Sequence, residues 1–267
     1  MELLEPYPYE TKFKAISFPE RVREWKYDTD LDDLFENIDE DKIQIEYRTI
    51  SKILLCLYGN ISVKQDSDIQ EYITEGLEND IDPEESINAQ LDNIVYLYNE
   101  LKNFPVAGET EFPIALYRGF RAGSAIPFFD RLRKEDKMKI GSQITIPMFM
   151  SSSMIEETSM RFTGDDYILW KIIVPKDKTQ IFRYTNISDR DYDILSNFDL
   201  QNSEAEILLN IGTTLKCIDI INNYTKNYRL PNADGTSQLM TKRCTLYIYE
   251  FQGYQEADIV NYLKNLH

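Results

Sequence analysis

Two carboxylates, Glu204 and Glu206, stand one residue apart in the stretch NSEAEILLNIGTTLKC, which covers positions 202–217. Residues i and i+2 of a strand point to the same face, so both side chains can reach one cleft. Fixed carboxylates stabilise developing positive charge and accept protons, which is useful chemistry at a reacting sugar or amine. The same spacing is also typical of the solvated face of a strand. By itself the pair leaves both interpretations open.

Two more polar features come earlier in the chain, each beside apolar residues. Arg118 and Gly119 lie in LYRGF, and three consecutive serines at 151–153 lie in PMFMSSSM. An arginine fork can bind phosphate oxygens through two parallel hydrogen bonds, and a neighbouring glycine lets a ligand approach the backbone. Each feature also has a structural explanation: a surface ion pair for the arginine, and a loop for the serines, whose hydroxyls bond local backbone groups.

In this order, the three features resemble the Arg–Ser–Glu signature of the mono-ADP-ribosyltransferases. The family's aromatic-Arg-Gly matches YRG at 117–119, and its Phe-x-Ser-Thr-Ser matches FMSSS at 149–153. Its Glu-x-Glu, followed by aliphatic residues, Gly and Thr, matches EAEILL at 204–209 and GT at 212–213. Ser152 stands where the family often has threonine, a change that keeps the hydroxyl. The resemblance covers about residues 113–220.

The resemblance implies that the chain uses NAD as a substrate, and it supplies a role for each residue. Arg118 would bind the phosphates, and the main chain of Gly119 would pair with the nicotinamide carboxamide. Glu206 would lie on the ribose, where cleavage of the glycosidic bond builds positive charge, with Ser151 orienting it. Ser153 belongs to the implied NAD-binding set.

The resemblance also bears on the acceptor. In the family a glutamate at the position of Glu204 goes with arginine as the acceptor, so we expect a target-protein arginine. Segment 189–203 stands in the place of the family's target-recognition loop, and its Tyr192 and Phe198 would contact the acceptor protein or pack internally. Phe162 would stack near the nicotinamide, as part of the NAD-binding set, or pack in the core.

Composition narrows the classes of partner. The 267 residues suffice for one large domain or two modest ones. The net charge of −17 disfavours nucleic acid or anionic lipid as a main partner, because a surface this acidic repels both. An anionic ligand in a locally basic cleft stays compatible with this charge. Nothing in the sequence indicates an oligomeric state.

Histidine and cysteine usage excludes several kinds of site. The single histidine is the last residue, His267, which rules out Ser-His-Asp and Cys-His catalysis and histidine-based metal sites. Cys56, Cys217 and Cys244 are widely spaced and form no C-x-x-C pair, so neither a zinc site nor a disulfide framework is expected. We therefore expect no metal.

No signal peptide or membrane span is predicted. The start, MELLEPYPYETKFK, lacks a basic-then-apolar pattern, and no apolar stretch reaches the roughly 18 residues that spanning requires. We expect synthesis in the cytoplasm, with signal-independent export or packaging into a particle left open. Because the secretion signal and paired cysteines of the family's cell-surface branch are missing, an intracellular, bacterial or viral member, such as a toxin or effector, is indicated.

Hydrophobic periodicity predicts helices in the first hundred or so residues and a β-rich part after them. Segments 41–58 and 83–104 carry apolar residues at helical spacing. Strands are predicted at 113–117, 143–149, 167–174, 180–184, 204–209, 213–220 and 244–251, with a turn at 232–235. Further helices are predicted near 124–136, 155–162 and 255–266.

These elements predict an α+β protein with a helical N-terminal region over 1–105 and a catalytic domain over 106–267. The N-terminal region would brace the cleft, recognise the target or regulate access. By the resemblance, the catalytic domain is a split antiparallel β-sandwich of the ADP-ribosyltransferase type with NAD between its sheets, ending in a C-terminal helix.

The expected activity is transfer of ADP-ribose from NAD to a protein arginine, with release of nicotinamide. An NAD glycohydrolase, in which water replaces the acceptor, remains an alternative. So does a catalytically inactive binding module with the same fold. A two-carboxylate glycosidase is disfavoured, because neighbouring strand positions lie too close together for the inverting geometry.

Overall fold

A computed structural model of the chain describes residues 50, 53–54, 83–104, 106–108, 113–120, 126–163, 168–183, 206–231 and 237–256. They belong to two compact units. One holds the described residues of 104–255, and the other holds the described residues of 17–103 with Glu256.

In the unit that holds the described residues of 17–103 and Glu256, the main element is helix α1, Pro83–Lys102. Ile94, Leu97 and Leu101 are fully buried, at the spacing that a 3.6-residue period gives to one face. This confirms the helix predicted at 83–104. Three residues of the helix predicted at 41–58 are described, and all three are helical and buried. The rest of that helix and the predicted C-terminal helix lie outside the described residues.

The other unit is built on a seven-stranded sheet in the order β2-β6-β7-β4-β1-β3-β5. The strands are β1 (Ile114–Gly119), β2 (Gln143–Thr145), β3 (Met150–Ser153), β4 (Ile168–Val174), β5 (Glu206–Leu209), β6 (Thr213–Pro231) and β7 (Ser237–Tyr254). The nearly continuous apolar run ILWKIIV of β4 is typical of a central strand that is covered on both faces.

The α+β class is confirmed, but the sheet differs from the predicted arrangement in two ways. It is mixed, because β4 and β7 run parallel while the other paired strands are antiparallel. Its hydrogen bonding is also continuous rather than split between two sheets. The sheet is continuous because the inner half of β7, from Thr245 to Glu250, pairs with β4 on one side and with β6 on the other.

Three local predictions are corrected. The serines at 151–153 lie within β3 rather than in a loop after a strand. The strand predicted at 143–149 ends at Thr145, shortly before Pro147, which has no N–H to donate to a ladder. Instead of the strand predicted at 180–184, Arg183 makes an isolated bridge to Val106.

Helix α2, Ile126–Lys134, packs on one face of the sheet, called here the α2 face. Phe128 and Phe129 of the helix contact Phe120, which directly follows β1, and Trp170 of β4. The ring centroids are 4.8 Å apart for Phe120–Phe129 and 5.7 Å apart for Phe128–Trp170. Such ring pairs contribute beyond the area that they bury, so they hold α2 in a defined position.

Helix α3, Glu156–Arg161, packs on the opposite face, called here the α3 face. Its Met160 is fully buried in a cluster of side chains from β4, β6 and β7: Leu169, Tyr228, Cys244, Leu246 and Ile248. Ser159 adds a directed contact, because its Oγ donates to the carbonyl oxygen of Tyr117 at 2.8 Å. Helix α3 is therefore fixed directly to β1.

The β6–β7 hairpin reaches beyond the rest of the sheet. Its outer half pairs Tyr224 with Cys244 and continues to Pro231 paired with Ser237, whereas the pairing with β4 begins at Thr245. Asn223 has a positive φ of 62°, and the register shifts between Ile221 and Tyr224. Such an irregularity bends a ribbon. The outer half packs on α3, where Lys242 Nζ donates to the carbonyl oxygen of Thr163.

Candidate active site

Strands β1, β3 and β5 are neighbours, and their register aligns the polar residues that the sequence singles out. Tyr117 pairs with Ser153, and Ser153 pairs with Glu206. Cross-strand partners share a face, and so do residues two apart in one strand, so Ser151, Ser153 and Glu206 all belong to the α3 face. Glu206 is 7% exposed. The structure thus brings the candidate catalytic glutamate together with two of the predicted serines.

Arg118 is placed differently. It pairs with Trp170 across β1 and β4, and its guanidinium carbon lies 5.6 Å from the ring centroid of Phe120, so it belongs to the α2 face. Its strand lies two strand spacings, about 10 Å, from the strand of Glu206. Arg118 and Glu206 are therefore near in the sheet but start from opposite faces of it.

Gly119 and Phe162 lie against one another where α3 ends. A Cβ added to Gly119 would stand 2.1 Å from the carbonyl oxygen of Ser159 and 3.0 Å from the carbonyl carbon of Phe162. No side chain fits in that space, so the packing of α3 on β1 by itself requires glycine here. This structural requirement adds to the ligand approach that the sequence suggested.

The three serines of β3 have different surroundings. Ser152 Oγ donates to the carbonyl oxygen of Ile207 at 2.8 Å, which ties β3 to β5. Ser153 Oγ accepts from the backbone N–H of Ile155 at 2.9 Å and so supports the turn into α3. Ser151 is half-buried on the α3 face. Side chains alternate between the two faces of β3. The hydroxyl of Ser152, which bonds the backbone of β5, therefore lies on the opposite face from Ser151, Ser153 and Glu206.

Lys171, which no sequence motif singled out, continues the cross-strand row formed by Glu206, Ser153 and Tyr117. It pairs with Tyr117, is 9% exposed, and holds its Nζ 5.7 Å from the centroid of the Tyr117 ring. Burial lowers the pKa of Lys171, while the carboxylate of Glu156 raises it. Burial also raises the pKa of Tyr117, and Glu156 adds to that rise. The signal in the sequence was a lone lysine inside the apolar run ILWKIIV.

The second carboxylate of the pair, Glu204, lies outside the described residues, as does segment 189–203 with Tyr192 and Phe198. Among the described residues, no group of three or more His, Cys, Asp or Glu could hold a metal ion. Within the same residues, no helix has the length and apolar character needed to cross a membrane.

A cleft of about 460 Å³ lies at the other edge of the sheet. It is bounded by residues of β2, β6 and the end of β7, which include Thr145, Thr214, Gly253 and Gln255. Thr145 Oγ1 donates to Gln255 Oε1 at 3.0 Å there. None of the predicted site residues that the structure describes lines this cleft, so the cleft is separate from the row of Glu206 and the serines.

No protein-family model and no curated protein matches the chain. Solved structures that are similar to it include the enzymatic component C2-I of the C2 toxin from Clostridium botulinum, at 16% identity over 80% of this chain and 44% of C2-I, with a TM-score of 0.36. The chain thus spans less than half of that protein.

Two more solved structures cover most of both chains. The catalytic domain of VsdC from Aeromonas hydrophila is 17% identical over 77% of this chain and 98% of that domain, with a TM-score of 0.39. The ADP-ribosyltransferase Vis from Vibrio splendidus, in complex with agmatine, is 12% identical over 89% of this chain and 87% of its own, with a TM-score of 0.35. All of these similarities are distant, so the function of this chain has to follow from its own residues.

Proposed function

We propose that the chain is an NAD-dependent mono-ADP-ribosyltransferase of the Arg–Ser–Glu class that modifies arginine in a target protein. The observation that carries the proposal is the alignment of Glu206 with Ser153, and of both with Ser151, on one face of three neighbouring strands. The serines and the glutamate of the motif resemblance, far apart in the sequence, lie together there, and Arg118 lies on the neighbouring strand β1 with its side chain on the other face. In this proposal, residues 106–267 form the catalytic domain and 1–105 the helical N-terminal region.

The side chains around the row suit a dinucleotide with a cationic leaving group. Arg118, half-buried at the end of β1 on the α2 face, would offer its guanidinium to phosphate oxygens at the edge of the site. Glu206 is nearly buried, and a carboxylate held away from water stabilises positive charge more strongly than an exposed one does. Gly119 and Phe162 stand together at the end of α3, where the nicotinamide end would lie.

Each residue then has one task in the transfer. NAD supplies the ADP-ribosyl group and nicotinamide as the leaving group. Glu206 holds the ribose and stabilises the charge that develops at its anomeric carbon, while Ser151 orients that carboxylate. The bond from this carbon to the nicotinamide nitrogen breaks, and nicotinamide leaves with the electron pair. A guanidinium nitrogen of the acceptor forms the new bond, and its proton passes to Glu204.

The test is incubation with NAD labelled in the adenylate part and a cell lysate, comparing wild type with Glu206→Gln and Glu204→Gln. We expect labelled protein with wild type and no labelled band with either variant. Nicotinamide release should fall by about a thousandfold in Glu206→Gln, because charge stabilisation is lost in the transition state. In Glu204→Gln, release without an acceptor should change far less.

Free agmatine provides a control for acceptor chemistry, because it offers a guanidinium group without a protein. A mass increase of agmatine by one ADP-ribosyl group supports arginine as the acceptor. Nicotinamide release with no labelled protein and no modified agmatine indicates an NAD glycohydrolase. If wild type neither binds NAD nor releases nicotinamide, the proposal is wrong and a binding module with this fold is indicated.

A further inference from the structure

A carboxylate outside the three motifs lies at the centre of a hydrogen-bond network on the α3 face. Glu156 is the first residue of α3, and its side chain is 16% exposed. Its Oε1 accepts from the hydroxyl of Tyr224 at 2.5 Å, and its Oε2 accepts from Lys226 Nζ at 2.8 Å. Both partners belong to the outer half of the β6–β7 hairpin. One carboxylate thus binds the hairpin to the start of the helix.

The same carboxylate acts on the sheet beneath it. Glu156 raises the pKa of Lys171 and thereby opposes the larger effect of burial, and it adds to the raised pKa of Tyr117. The positive charges of Lys171 and Lys226 are therefore both compensated by this carboxylate. Lys226 also stands opposite Lys242 in the hairpin register, and like charges at such positions repel. Loss of the carboxylate would leave positive charge uncompensated between hairpin and sheet.

The start of α3 is connected directly to the candidate site. Ser153 lies three residues before Glu156, and its Oγ accepts from the backbone N–H of Ile155. Ser153 is also the register partner of Glu206. Further along α3, the hydroxyl of Ser159 donates to the main chain of β1. A displacement of α3 would therefore move the end of the strand that faces the catalytic glutamate.

We infer that Glu156 is a positioning residue, which seats the β6–β7 hairpin on α3 and thereby fixes the serine strand β3 against Glu206. Its catalytic consequence rests on the proposed function, whereas its structural consequence does not. Glu156 touches none of the proposed reacting atoms and acts through Ile155 and Ser153.

The chain offers a matched control. Glu157 is the next residue in the same helical turn, carries the same charge and is exposed. Glu156→Gln keeps the size of the side chain and removes its charge, and Glu157→Gln makes the same change in solvent. We expect Glu156→Gln to lower kcat for nicotinamide release by about tenfold to a hundredfold with less than about a twofold change in KM for NAD, because misplacement mainly affects the transition state. Glu157→Gln should leave both constants within about twofold of wild type.

A double-mutant cycle locates the effect in the hairpin contact. Lys226→Met alone should also lower kcat, and its combination with Glu156→Gln should cost clearly less than the product of the two single losses. Tyr224→Phe removes only the hydroxyl and provides a milder variant if Glu156→Gln does not fold. Equal losses in the Glu156 and Glu157 variants, or an unchanged kcat in a folded Glu156→Gln protein, would overturn the inference.

Amide hydrogen exchange separates this inference from the proposed function. In Glu156→Gln or Tyr224→Phe, exchange should accelerate in the outer hairpin and also over residues 150–155, whether or not the wild type consumes NAD. If exchange accelerates in the hairpin alone, Glu156 does not position the serine strand. If wild type releases no nicotinamide but exchange behaves as expected, the proposed function fails and the structural coupling stands.

Discussion

Gly119 shows how one residue can serve a helix and a candidate site at once. Its α-carbon lies so near the end of α3 that a β-carbon would come within 2.1 Å of a backbone carbonyl oxygen. We expect Gly119→Ala to lower the free energy of unfolding by about 3 kcal/mol, because backbone atoms cannot yield as a flexible side chain can. Urea unfolding followed by circular dichroism would measure this change.

Gly141 provides the comparison for that substitution. Its φ is +87°, but nothing lies within 4 Å of an added β-carbon. Gly141→Ala should therefore cost only about 1 kcal/mol, from backbone strain. If the two substitutions cost the same, the close contact at Gly119 is not what requires glycine.

At the same scale, the motif resemblance implied that Ser151 orients Glu206, and that role stays a prediction. The strand register places Ser151, Ser153 and Glu206 on one face of the sheet. The sequence could not predict the face of the sheet on which Arg118 lies. That face depends on the register between neighbouring strands, which no single motif reveals. Lys171 and Glu156 were missed for a related reason. A lone lysine in an apolar run and a glutamate at a helix start have no motif, and only the packing of α3 and the hairpin brings them together.

Among the elements, strand β3 separates two functions by the alternation of its side chains. The hydroxyl of Ser152 holds β5 through the carbonyl oxygen of Ile207, whereas Ser151 faces the side of Glu206. We expect Ser152→Ala to lower the free energy of unfolding by about 1–2 kcal/mol, because a buried carbonyl loses its side-chain donor. Nicotinamide release per folded molecule should remain within about twofold of wild type.

Ser151→Ala serves as the opposite case on the same strand. It should cost less than about 0.5 kcal/mol of stability and reduce nicotinamide release by about tenfold or more. Unfolding curves and initial rates of nicotinamide release, measured on both variants, show which serine affects stability and which affects activity. A reversed pattern, with Ser151→Ala unstable and Ser152→Ala inactive, would contradict the assignment of faces.

Among the described residues, helices α1, α2 and α3 and most strands were predicted near their observed positions, because each has clear periodicity or a β-branched, aromatic run. Strand β3 was not among the predicted strands, since consecutive serines are typical of loops and only tertiary pairing makes them a strand. The outer half of β6 was also missed. Its sequence, NNYTKNYRLP, is polar on one side, and it extends because α3 offers it a surface.

For the whole molecule, buried groups that lose a proton at alkaline pH predict how stability depends on pH. Burial, and to a lesser extent Glu156, raises the pKa of Cys244 from 9.0 to about 11. Between these values the unfolded chain loses the proton and the folded one keeps it. This contribution is therefore complete below pH 9 and is lost as the pH rises towards 11. It should amount to about 3 kcal/mol.

Cys244→Ala isolates this contribution. Its free energy of unfolding should fall less steeply than that of wild type over the same alkaline range, where tyrosines such as Tyr249 also keep their protons in the folded state. Denaturant titrations at several pH values would show the two curves converging. Parallel curves would mean that the thiol is not shielded in the folded protein.

The contact of the β6–β7 hairpin with α3 has a consequence for the order in which the parts of the molecule can assemble. During synthesis from the N-terminus, β1, β3 and β5 can emerge and meet before the final hairpin exists. The contacts that hold α3, and through it the serine strand β3, come from residues 224–244 of the hairpin. A nascent chain can thus contain the residues of the candidate site before it contains the β6–β7 hairpin that holds them in place. We therefore expect the site to assemble only after β7 has been synthesised.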